Sequence, residues 1–314
     1  MPGRTERTMD QVPQQQSDTP RSGQSFLGGL TFKEMAKRTW SEANKDYAFG
    51  HAAELAYYFL LAFFPLLIFL ISVLGFMPGA QDRMVDYLSD VLPRDSTQLL
   101  HNWVNNVASK TTGSLLSFSL LGSLWAASSG MAALMSTLNV AYGVEEGRSW
   151  IKARMVAIAL VLALTVFIAG GALLIIFGDM VAAGLANWLG LGEVFKAIWP
   201  YVDYFIGLVL LLVGIGMIYY YAPNVEQERR WMTPGAIFAV VALLIASFLF
   251  SVYLSYAPSY SATYGSLGAV IVFALWLYLL GLMIFLGGEV NSEVEKAAGR
   301  TIRQKESGAN SPKK

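Results

Sequence analysis

The sequence predicts an all-α integral membrane protein, a bundle of six transmembrane helices with short amphipathic interfacial helices. Hydrophobic residues make up 55% of its 314 residues. Charged residues make up only 14%, whereas a soluble domain carries about 25%. The apolar residues also gather into six long segments with few or no charges. Each segment is close to the roughly 20 residues that a helix needs to cross the hydrocarbon core.

The chain divides into a polar tail, an interfacial helix, a membrane domain and a second tail. Residues 1–30 are rich in Gln, Ser, Pro and charge, which is typical of a disordered tail. In residues 31–50, apolar positions recur every three or four residues with basic residues between them, predicting an amphipathic helix. This helix lies either on the membrane surface or against the membrane domain. The membrane domain covers 51–290, with spans at about 54–76, 115–143, 155–178, 204–222, 231–256 and 266–288, and the second tail covers 291–314.

Proline and small residues mark places where helices bend or approach one another. Pro65 lies inside the first span and is expected to kink it. In the second span Gly122, Ala126 and Gly130 follow at intervals of four, the spacing that lets two helix backbones approach closely. This span is also rich in serine, so we expect it to face other helices.

The distribution of Lys and Arg predicts the orientation of the spans, because basic loops stay in the cytoplasm. With six spans, both termini share one side, and that side holds 18 of the 22 Lys and Arg residues. Both termini are therefore predicted to be cytoplasmic. The outer loop 78–112 is predicted to form two short amphipathic helices, which are either a lid over an outward cavity or interfacial helices.

Carboxylates near the spans are the first candidate site residues, because an unpaired charge in the bilayer costs several kcal/mol. Glu54 begins the first span and Glu289 follows the sixth, so the topology places both at the cytoplasmic end of the bundle. Two meeting carboxylates favour sharing a proton or a cation, which suits the coupling of transport. Alternatively, each pairs with Arg154 or Lys152, or reaches the water of the head groups.

Tyrosine, amide and glycine residues are the next candidates. Those able to hydrogen-bond a neighbouring helix or a substrate head group near the cytoplasmic end are Tyr57, Tyr58, Asn139 and Tyr142. At the outer entry to the sixth span, Gly265 and Gly268 permit either a broken helix that lines a cavity or a tight hairpin.

The composition also excludes several classes of function. The chain has no Cys and only two His residues, His51 and His101, so disulfides and Cys-based metal sites are excluded. No nucleotide-binding or soluble-hydrolase motif occurs. A net charge of +0 argues against nucleic acid as a partner. We therefore predict no cofactor, no metal and no catalytic residue.

Four segments resemble the YihY/BrkB family of bacterial inner-membrane proteins, in the family's order and spacing. They are AAELAYYFLLAFFPLL at 52–67, WAASSGMAALMSTLNVAYG at 125–143, YYYAPN followed by WMTPGA at 219–236, and YGSLGAVIVFALWLYLLGLMIFLGGEVN at 264–291. The resemblance spans roughly residues 31–292. It implies a six-helix protein of the bacterial cytoplasmic (inner) membrane with both termini in the cytoplasm.

The resemblance also marks residues that match the family's motifs. These positions are Tyr57, Tyr58, Pro65, Trp125, Gly130, Asn139, Tyr142, Pro223, Tyr264, Gly265, Gly268, Trp276, Tyr278, Glu289 and Asn291. Tyr264 and Asn291 join the binding candidates in this way, and Pro223 joins the structural ones. Some members have been labelled ribonuclease BN, and others have been associated with serum resistance. The ribonuclease label finds no support in these residues, which include no cluster of metal ligands and no basic groove.

Three functions are compatible with these observations. The leading hypothesis is a transporter or flippase-like protein for an envelope lipid, another amphiphile or a small solute. The alternative is a membrane scaffold or partner subunit in envelope biogenesis that transports nothing. An enzyme embedded in the membrane comes third, because no nucleophile, base and orienting group share a recognisable spacing. The expected partners are membrane lipids and either a second copy of the chain or an envelope protein.

Overall fold

The computed structural model describes residues 26–74, 113–189, 192–226, 233–256, 266–300 and 302–304. Most of the first tail, the outer loop 78–112, Tyr264, Gly265 and the end of the second tail lie outside the described residues.

The described chain contains seven helices and one pair of two-residue strands. They are α1 (Phe32–Lys45), α2 (Ala48–Leu74), α3 (Gly113–Ala141), α4 (Trp150–Leu189), α5 (Gly192–Tyr221), β1 (Val225–Glu226), α6 (Pro234–Tyr256), α7 (Ser266–Ala297) and β2 (Arg303–Gln304). Each of the six predicted apolar segments lies on one of the helices α2 to α7. Several helices run further than the apolar segments, because backbone hydrogen bonds continue a helix into polar surroundings.

Four stretches of the searched residues are long and apolar enough to cross a membrane. They are Trp150–Ile168, Tyr204–Tyr221, Pro234–Leu254 and Val270–Ala297. Large apolar side chains are exposed along these helices, among them Val166 on α4 and Phe248 on α6. Such a continuous apolar exterior suits contact with lipid.

The six long helices pack in a cycle. Each helix from α2 to α6 contacts the next one, and α7 returns to contact α2. One buried apolar core joins all six helices, with Leu55 of α2, Leu138 of α3 and Tyr219 of α5 completely buried in it. The core residues of α2 come from its start and those of α7 from its later half, so the core formed by the described residues lies at the end of the bundle nearer α1.

Helix α1 lies against the outside of this bundle, on α7. A capping box begins it, with the Thr31 hydroxyl accepting from the Glu34 backbone and the Glu34 carboxylate accepting from the Thr31 backbone. Its buried residues, Met35, Thr39 and Ala43, recur every four positions. Met35 packs with two valines of α7, so the helix contacts the last helix of the bundle.

The structure adds one feature to the predicted all-α fold. Strands β1 and β2 pair in antiparallel fashion, with Val225 opposite Gln304 and Glu226 opposite Arg303. The sequence gives no signal for this ladder, because two residues are too few to show an alternating pattern.

The predicted small-residue motif of α3 makes contact at only one of its ends. A Cβ atom on Gly130 would lie 3.4 Å from the Phe59 ring of α2, whereas Gly122 has no atom of another residue within 4 Å of its Cβ position. The predicted polar face of α3 also has a local explanation. Ser123 and Ser128 are buried, and their hydroxyls donate to carbonyls of their own helix, those of Leu120 and Trp125.

Helices α6 and α7 approach much more closely than the other pairs described here. A Cβ atom on Gly287 would lie 2.7 Å from the Gly235 carbonyl oxygen and 2.9 Å from the Ala239 Cβ atom. The Gly235 backbone N–H donates to Asn291 Oδ1 at 2.7 Å. The hydroxyl of Tyr219 on α5 donates to the Ile284 carbonyl at 2.7 Å. Glycine is therefore required at both positions of this contact.

Candidate functional site

Most of the candidate side chains lie at one end of the bundle, which we call the basal end. It consists of α1, the connection between α3 and α4 (142–149), the residues after α5 (222–226) and the last turns of α7. The ladder of β1 and β2 also lies there. The basal end contains a network of four polar side chains, a cavity between α4 and α5, and a buried carboxylate on α7.

The basal network consists of Asn139, Glu146, Arg148 and Asn224. Asn139 accepts a hydrogen bond from the Asn224 backbone N–H at 2.7 Å through its Oδ1 atom. Its Nδ2 atom donates to Glu146 Oε2 at 3.0 Å. Both groups of Asn139 are therefore used, and they connect the end of α3 to the segment that follows α5. The predicted role of Asn139 in binding a substrate head group stays a prediction.

Arg148 is held in place by the same network. Its Nε atom donates to Asn224 Oδ1 at 3.3 Å and lies 3.1 Å from Glu146 Oε1, and its Nη2 atom donates to the Ala222 carbonyl at 2.9 Å. Burial lowers the pKa of this guanidinium, and the carboxylate of Glu146 acts in the opposite direction. Its Nη1 atom makes no hydrogen bond to any described residue, so one donor group of a rigidly held cation stays available.

A cavity of about 480 Å³, which we call the basal cavity, lies between α4 and α5. Arg148 and Lys152 line it near the beginning of α4, and Lys152 forms no ion pair with any described residue. The other side chains of the lining are mostly apolar. The lining residues are Gly147, Arg148, Lys152, Val156, Ala159, Leu160, Ala163, Met217, Tyr221 and Asn224. A pocket of this size, with a few polar groups and apolar walls, is typical of small-ligand sites.

A second cavity of about 400 Å³ follows along the same two helices. On α4 the lining of the basal cavity ends at Ala163, and that of the second cavity begins at Leu164. The second cavity contains no charged side chain. Its lining residues are Leu164, Phe167, Ile168, Gly171, Gly207, Leu210, Leu211, Gly214, Ile215 and Ile218. Charge is therefore confined to the basal end of this helix pair among the lining residues.

The two predicted carboxylates, Glu54 and Glu289, lie in different surroundings. Glu54 is exposed at the surface of α2, and its Oε2 atom lies 3.4 Å from Nδ1 of His51. The His51 ring in turn stacks on Phe285 of α7, with the ring centroids 5.7 Å apart. Glu289 is completely buried, and neither of its carboxylate oxygens has a hydrogen-bond partner. The described contacts do not bring these two carboxylates together.

Glu293 and Lys296, which follow Glu289 on α7, form an ion pair with each other at 2.8 Å. The predicted alternative partner Arg154 is also engaged elsewhere. Its Nη2 atom donates to the Trp125 carbonyl at 3.2 Å, and its guanidinium lies 4.0 Å from the centroid of the Trp125 ring.

The other candidates are distributed over several surfaces. Tyr57 is exposed, whereas Tyr58 packs against the central core and Tyr142 is buried. Asn291 is buried, and its Oδ1 atom accepts the hydrogen bond from α6. Among the structural candidates, Pro65 lies within α2, Ala126 within α3 and Gly268 within α7, and Pro223 is buried beside Asn224. The proposed roles of Tyr57, Tyr58, Tyr142 and Asn291 in binding stay predictions.

Sequence reasoning did not predict that Arg148 and Lys152 line a cavity. Arg148 entered only as a loop charge, and Lys152 entered also as a possible partner of Glu54 or Glu289. Both lie at the start of an apolar segment. Within the described residues, no group of three or more His, Asp and Glu side chains is arranged to hold a metal ion.

Comparisons with known proteins agree on one family. The family model described as virulence factor BrkB matches residues 39–311. A ribonuclease-like protein, YfkH, of Bacillus subtilis is 37% identical over 245 residues, which cover 78% of this chain and 89% of YfkH. A UPF0761 membrane protein of Coxiella burnetii is 26% identical over 253 residues, covering 77% of this chain and 86% of its own length.

Another UPF0761 membrane protein, from Tolumonas auensis, is 26% identical over 265 residues, covering 80% of this chain and 82% of its own length. No solved structure matches the chain significantly. The family match and these relatives each extend over most of the sequence. The chain therefore belongs to the BrkB family, whose UPF0761 relatives are membrane proteins.

Proposed function

We propose that this protein binds an anionic lipid or related amphiphile of the cell envelope in the basal cavity and moves it within the membrane, as a transporter or flippase-like protein. The basal cavity is the observation that carries this proposal. It combines two cationic side chains at one end with an apolar lining along the rest.

The charge arrangement favours an anionic head group as the ligand. Lys152 has no ion pair with any described residue, and Arg148 keeps an Nη1 group without a protein acceptor in the described part. A phosphate or carboxylate oxygen would satisfy both cations through charge-assisted hydrogen bonds. The apolar walls beyond them would accept an acyl chain, because the transfer of apolar surface out of water is favourable.

The length of the helix pair favours movement along it. From Lys152 to Gly171, the lining residues of the two cavities span about 28 Å of α4 at 1.5 Å per residue. This length approaches the roughly 30 Å thickness of the hydrocarbon core. An amphiphile that enters at the basal end would therefore have apolar surface beside it over most of the bilayer.

The proposal includes the membrane orientation and the absence of nuclease activity. In this proposal the chain has six spans and cytoplasmic termini, so the basal end lies at the cytoplasmic face of the inner membrane. The excess of Lys and Arg on that side supports this orientation. A head group would then enter from the inner leaflet. Ribonuclease activity is not part of the proposal, and the word ribonuclease describes the name of YfkH alone.

The test is a lipid-movement assay with the purified protein in liposomes. Head-group or chain-labelled phosphatidylglycerol, which is anionic, is compared with labelled phosphatidylcholine, and transbilayer movement is followed by chemical bleaching of the outer leaflet. We expect faster movement of the anionic lipid. Lys152→Gln is expected to reduce this rate about fivefold, the equivalent of about 1 kcal/mol for one lysine beside an anionic surface.

Two matched variants control this experiment. Lys152→Arg keeps the charge and is expected to retain most of the rate. Lys33→Gln removes an exposed lysine of α1 that lines neither cavity, so its rate should equal that of the unmodified protein. Equal rates for both lipids in the presence and absence of the protein would contradict transport.

A scaffold without transport activity is the second candidate, and one observation favours it. Helix α1 exposes large aromatic side chains at the basal end, with Phe32 exposed by 70% and Trp40 by 57%. Such residues are enriched at protein interfaces. If Phe32→Ala with Trp40→Ala impairs envelope integrity in cells while Lys152→Gln does not, the scaffold function is favoured over transport.

A further inference from the structure

Helix α1 packs on α7 through one face and leaves two flanks that differ in charge. The packed face consists of Met35, Thr39 and Ala43, which are buried. Almost all other residues of α1 are exposed. Because residues three or four apart are neighbours on a helix, the exposed residues separate into one flank on each side of the packed face.

The first flank, which we call the balanced flank, alternates acidic and basic side chains. Its members are Glu34, Arg38, Glu42 and Lys45, at spacings of three or four. Glu42 forms an ion pair with Lys45, and the Glu34 carboxylate accepts hydrogen bonds from Thr31. The charges of this flank compensate one another, so it suits contact with water.

The second flank, which we call the lysine flank, combines aromatic and basic side chains and contains no acidic residue. Its members are Phe32, Lys33, Ala36, Lys37, Trp40 and Asn44, all of them exposed. Lys33 and Lys37 form no ion pair with any described residue. Aromatic side chains beside uncompensated lysines are typical of helices that lie in the interface of an anionic membrane.

The aromatic part of the lysine flank continues into the apolar exterior of α2. The Trp40 ring packs edge-to-face on Phe49 in the first turn of α2, with the ring centroids 6.1 Å apart. Exposed residues then follow at intervals of four, namely Ala53, Tyr57 and Leu61. They enter the first predicted span, whose exposed side chains suit contact with acyl chains. Trp40 therefore lies at the end of a lipid-facing surface, the level at which Trp is enriched in membrane proteins.

We propose that the lysine flank of α1 binds the head groups of anionic lipids at the surface of the bilayer. Lys33 and Lys37 donate to phosphate oxygens through charge-assisted hydrogen bonds. Phe32 and Trp40 lie among the head groups, where an aromatic side chain contacts apolar and polar surroundings together. Helix α1 thus packs on the membrane domain with one face and on the membrane surface with one flank.

A membrane surface fits this flank better than a protein partner. A protein that covered Trp40 would also have to displace lipid from Phe49, which is part of the same aromatic surface. The positive charge of the flank further favours anionic over zwitterionic head groups, because each lysine near an anionic surface is attracted to it. The surface is separate from the basal cavity, since no residue of the lysine flank lines that cavity.

The chain contains no Cys, so a fluorophore can be attached at one chosen position. Ala36→Cys on the lysine flank and Ser41→Cys on the opposite side replace small exposed residues. Each full-length protein carries bimane and is placed in liposomes of phosphatidylglycerol and phosphatidylcholine. In parallel samples of the same lipid composition, only one of the two lipids carries a quenching doxyl group near the start of its acyl chain.

We expect labelled phosphatidylglycerol to quench the fluorophore at position 36 more strongly than labelled phosphatidylcholine does. Position 41 should be quenched weakly by both lipids. Lys33→Gln with Lys37→Gln should reduce the preference for phosphatidylglycerol, by about fivefold for each lysine removed. Arg38→Gln with Lys45→Gln is the matched control, because it removes two cations from the balanced flank, and it should keep the preference. Thermal unfolding verifies that all variants are folded.

Three outcomes would overturn the proposal. Equal quenching at position 36 by the two labelled lipids would show membrane contact without recognition of anionic head groups. Weak quenching at position 36 by both lipids, with strong quenching by aqueous iodide, would place the flank in water. Resistance to the lipids and to iodide together would show that a protein surface, such as a second copy of the chain, covers the flank.

The measurement is independent of the proposed function. Lys152→Gln should leave the quenching at position 36 unchanged, because Lys152 lines the basal cavity and not this surface. A preference for phosphatidylglycerol at position 36 in a protein that moves no lipid would contradict the proposed function alone. Lipid movement without that preference would contradict the lysine flank alone.

Discussion

Two helix contacts of this molecule use the same residue types and produce opposite results. The contact of α6 with α7 is closed, because Gly235 and Gly287 bring the two backbones together and Asn291 hydrogen-bonds across them. The contact of α4 with α5 contains glycines as well, but leaves cavities of about 480 and 400 Å³.

The difference lies in what each glycine faces. Gly287 faces the Tyr219 hydroxyl, the backbone carbonyl of Gly235 and the small Ala239, which leave no space beside it. Gly171 and Gly214 face the side chains of Leu210 and Phe167, and Gly207 faces open space. Glycine opposite glycine lets two helix backbones approach closely, whereas a glycine that faces open space, as Gly207 does, leaves volume between the helices. The closed contact thus serves as a rigid wall, and the open one is available for a ligand.

The largest expected effect breaks the closed contact. Gly287→Ala would place a methyl group 2.7 Å from the Gly235 carbonyl oxygen, where neither backbone can yield easily. We expect a loss of about 3 kcal/mol in the free energy of unfolding, measured as a lower unfolding midpoint in detergent. Gly207→Ala on the open contact is the control, and it should be neutral or slightly stabilising. Equal midpoints for the two variants would refute the distinction between the contacts.

The next effect concerns the hydrogen bond that crosses the closed contact. Asn291→Ala removes the acceptor of the buried Gly235 N–H, which no longer has a partner. The expected loss is about 2 kcal/mol, the cost of a buried unsatisfied backbone group. Asn44→Ala removes an exposed asparagine that donates to the Trp40 carbonyl, and it should change stability far less. A similar loss in both variants would show that burial does not matter here.

A smaller effect on stability is expected from filling the open contact. Ala163→Phe adds a ring at the junction of the two cavities, so stability should change by less than about 1 kcal/mol. Movement of labelled phosphatidylglycerol should nevertheless be lost. The matched substitution in the closed contact, Ala239→Phe, should prevent folding because Ala239 is buried against Gly287. An Ala163→Phe protein that still moves the lipid would exclude this pathway.

The smallest effect is expected at the exposed start of α1, away from both contacts. The Thr31 backbone N–H and hydroxyl lower the pKa of Glu34 by hydrogen bonding its ionised form. The stabilisation is present above about pH 4.5 and decreases as pH falls through the lowered folded-state pKa. Hydrogen exchange of residues 31–38, corrected for its intrinsic pH dependence, should show this loss. In Glu34→Gln the corrected exchange rate of the same residues should be pH-independent.

The sequence was sufficient to predict the long helices, but not where each one begins and ends or what packs beside it. Apolar segments predicted all six long helices, because burial in lipid or protein imposes composition along the whole segment. The bounds were less accurate, as α5 begins at Gly192 and α7 ends at Ala297, since a helix does not need apolar residues to continue. The ladder of β1 and β2 was missed because it is too short to show a pattern.

The candidate site shows the same limit more sharply. Glu289 was singled out from its position at the end of the sixth apolar segment, and the structure finds it completely buried. The hypothesis that it meets Glu54 assumed that equal depth means contact. Contact also depends on which side of its helix each residue occupies, and Glu54 lies on the exposed side of α2.

The pairing of Val225 with Gln304 has a consequence for the order in which the molecule is made. Helices α6 and α7 lie between the two strands, so both must be synthesised and inserted before the ladder can form. Until then the segment that carries Asn224 has no strand beside it, while its partner Asn139 was translated much earlier. We therefore expect the basal end to be completed last during biogenesis, when the ribosome has passed β2.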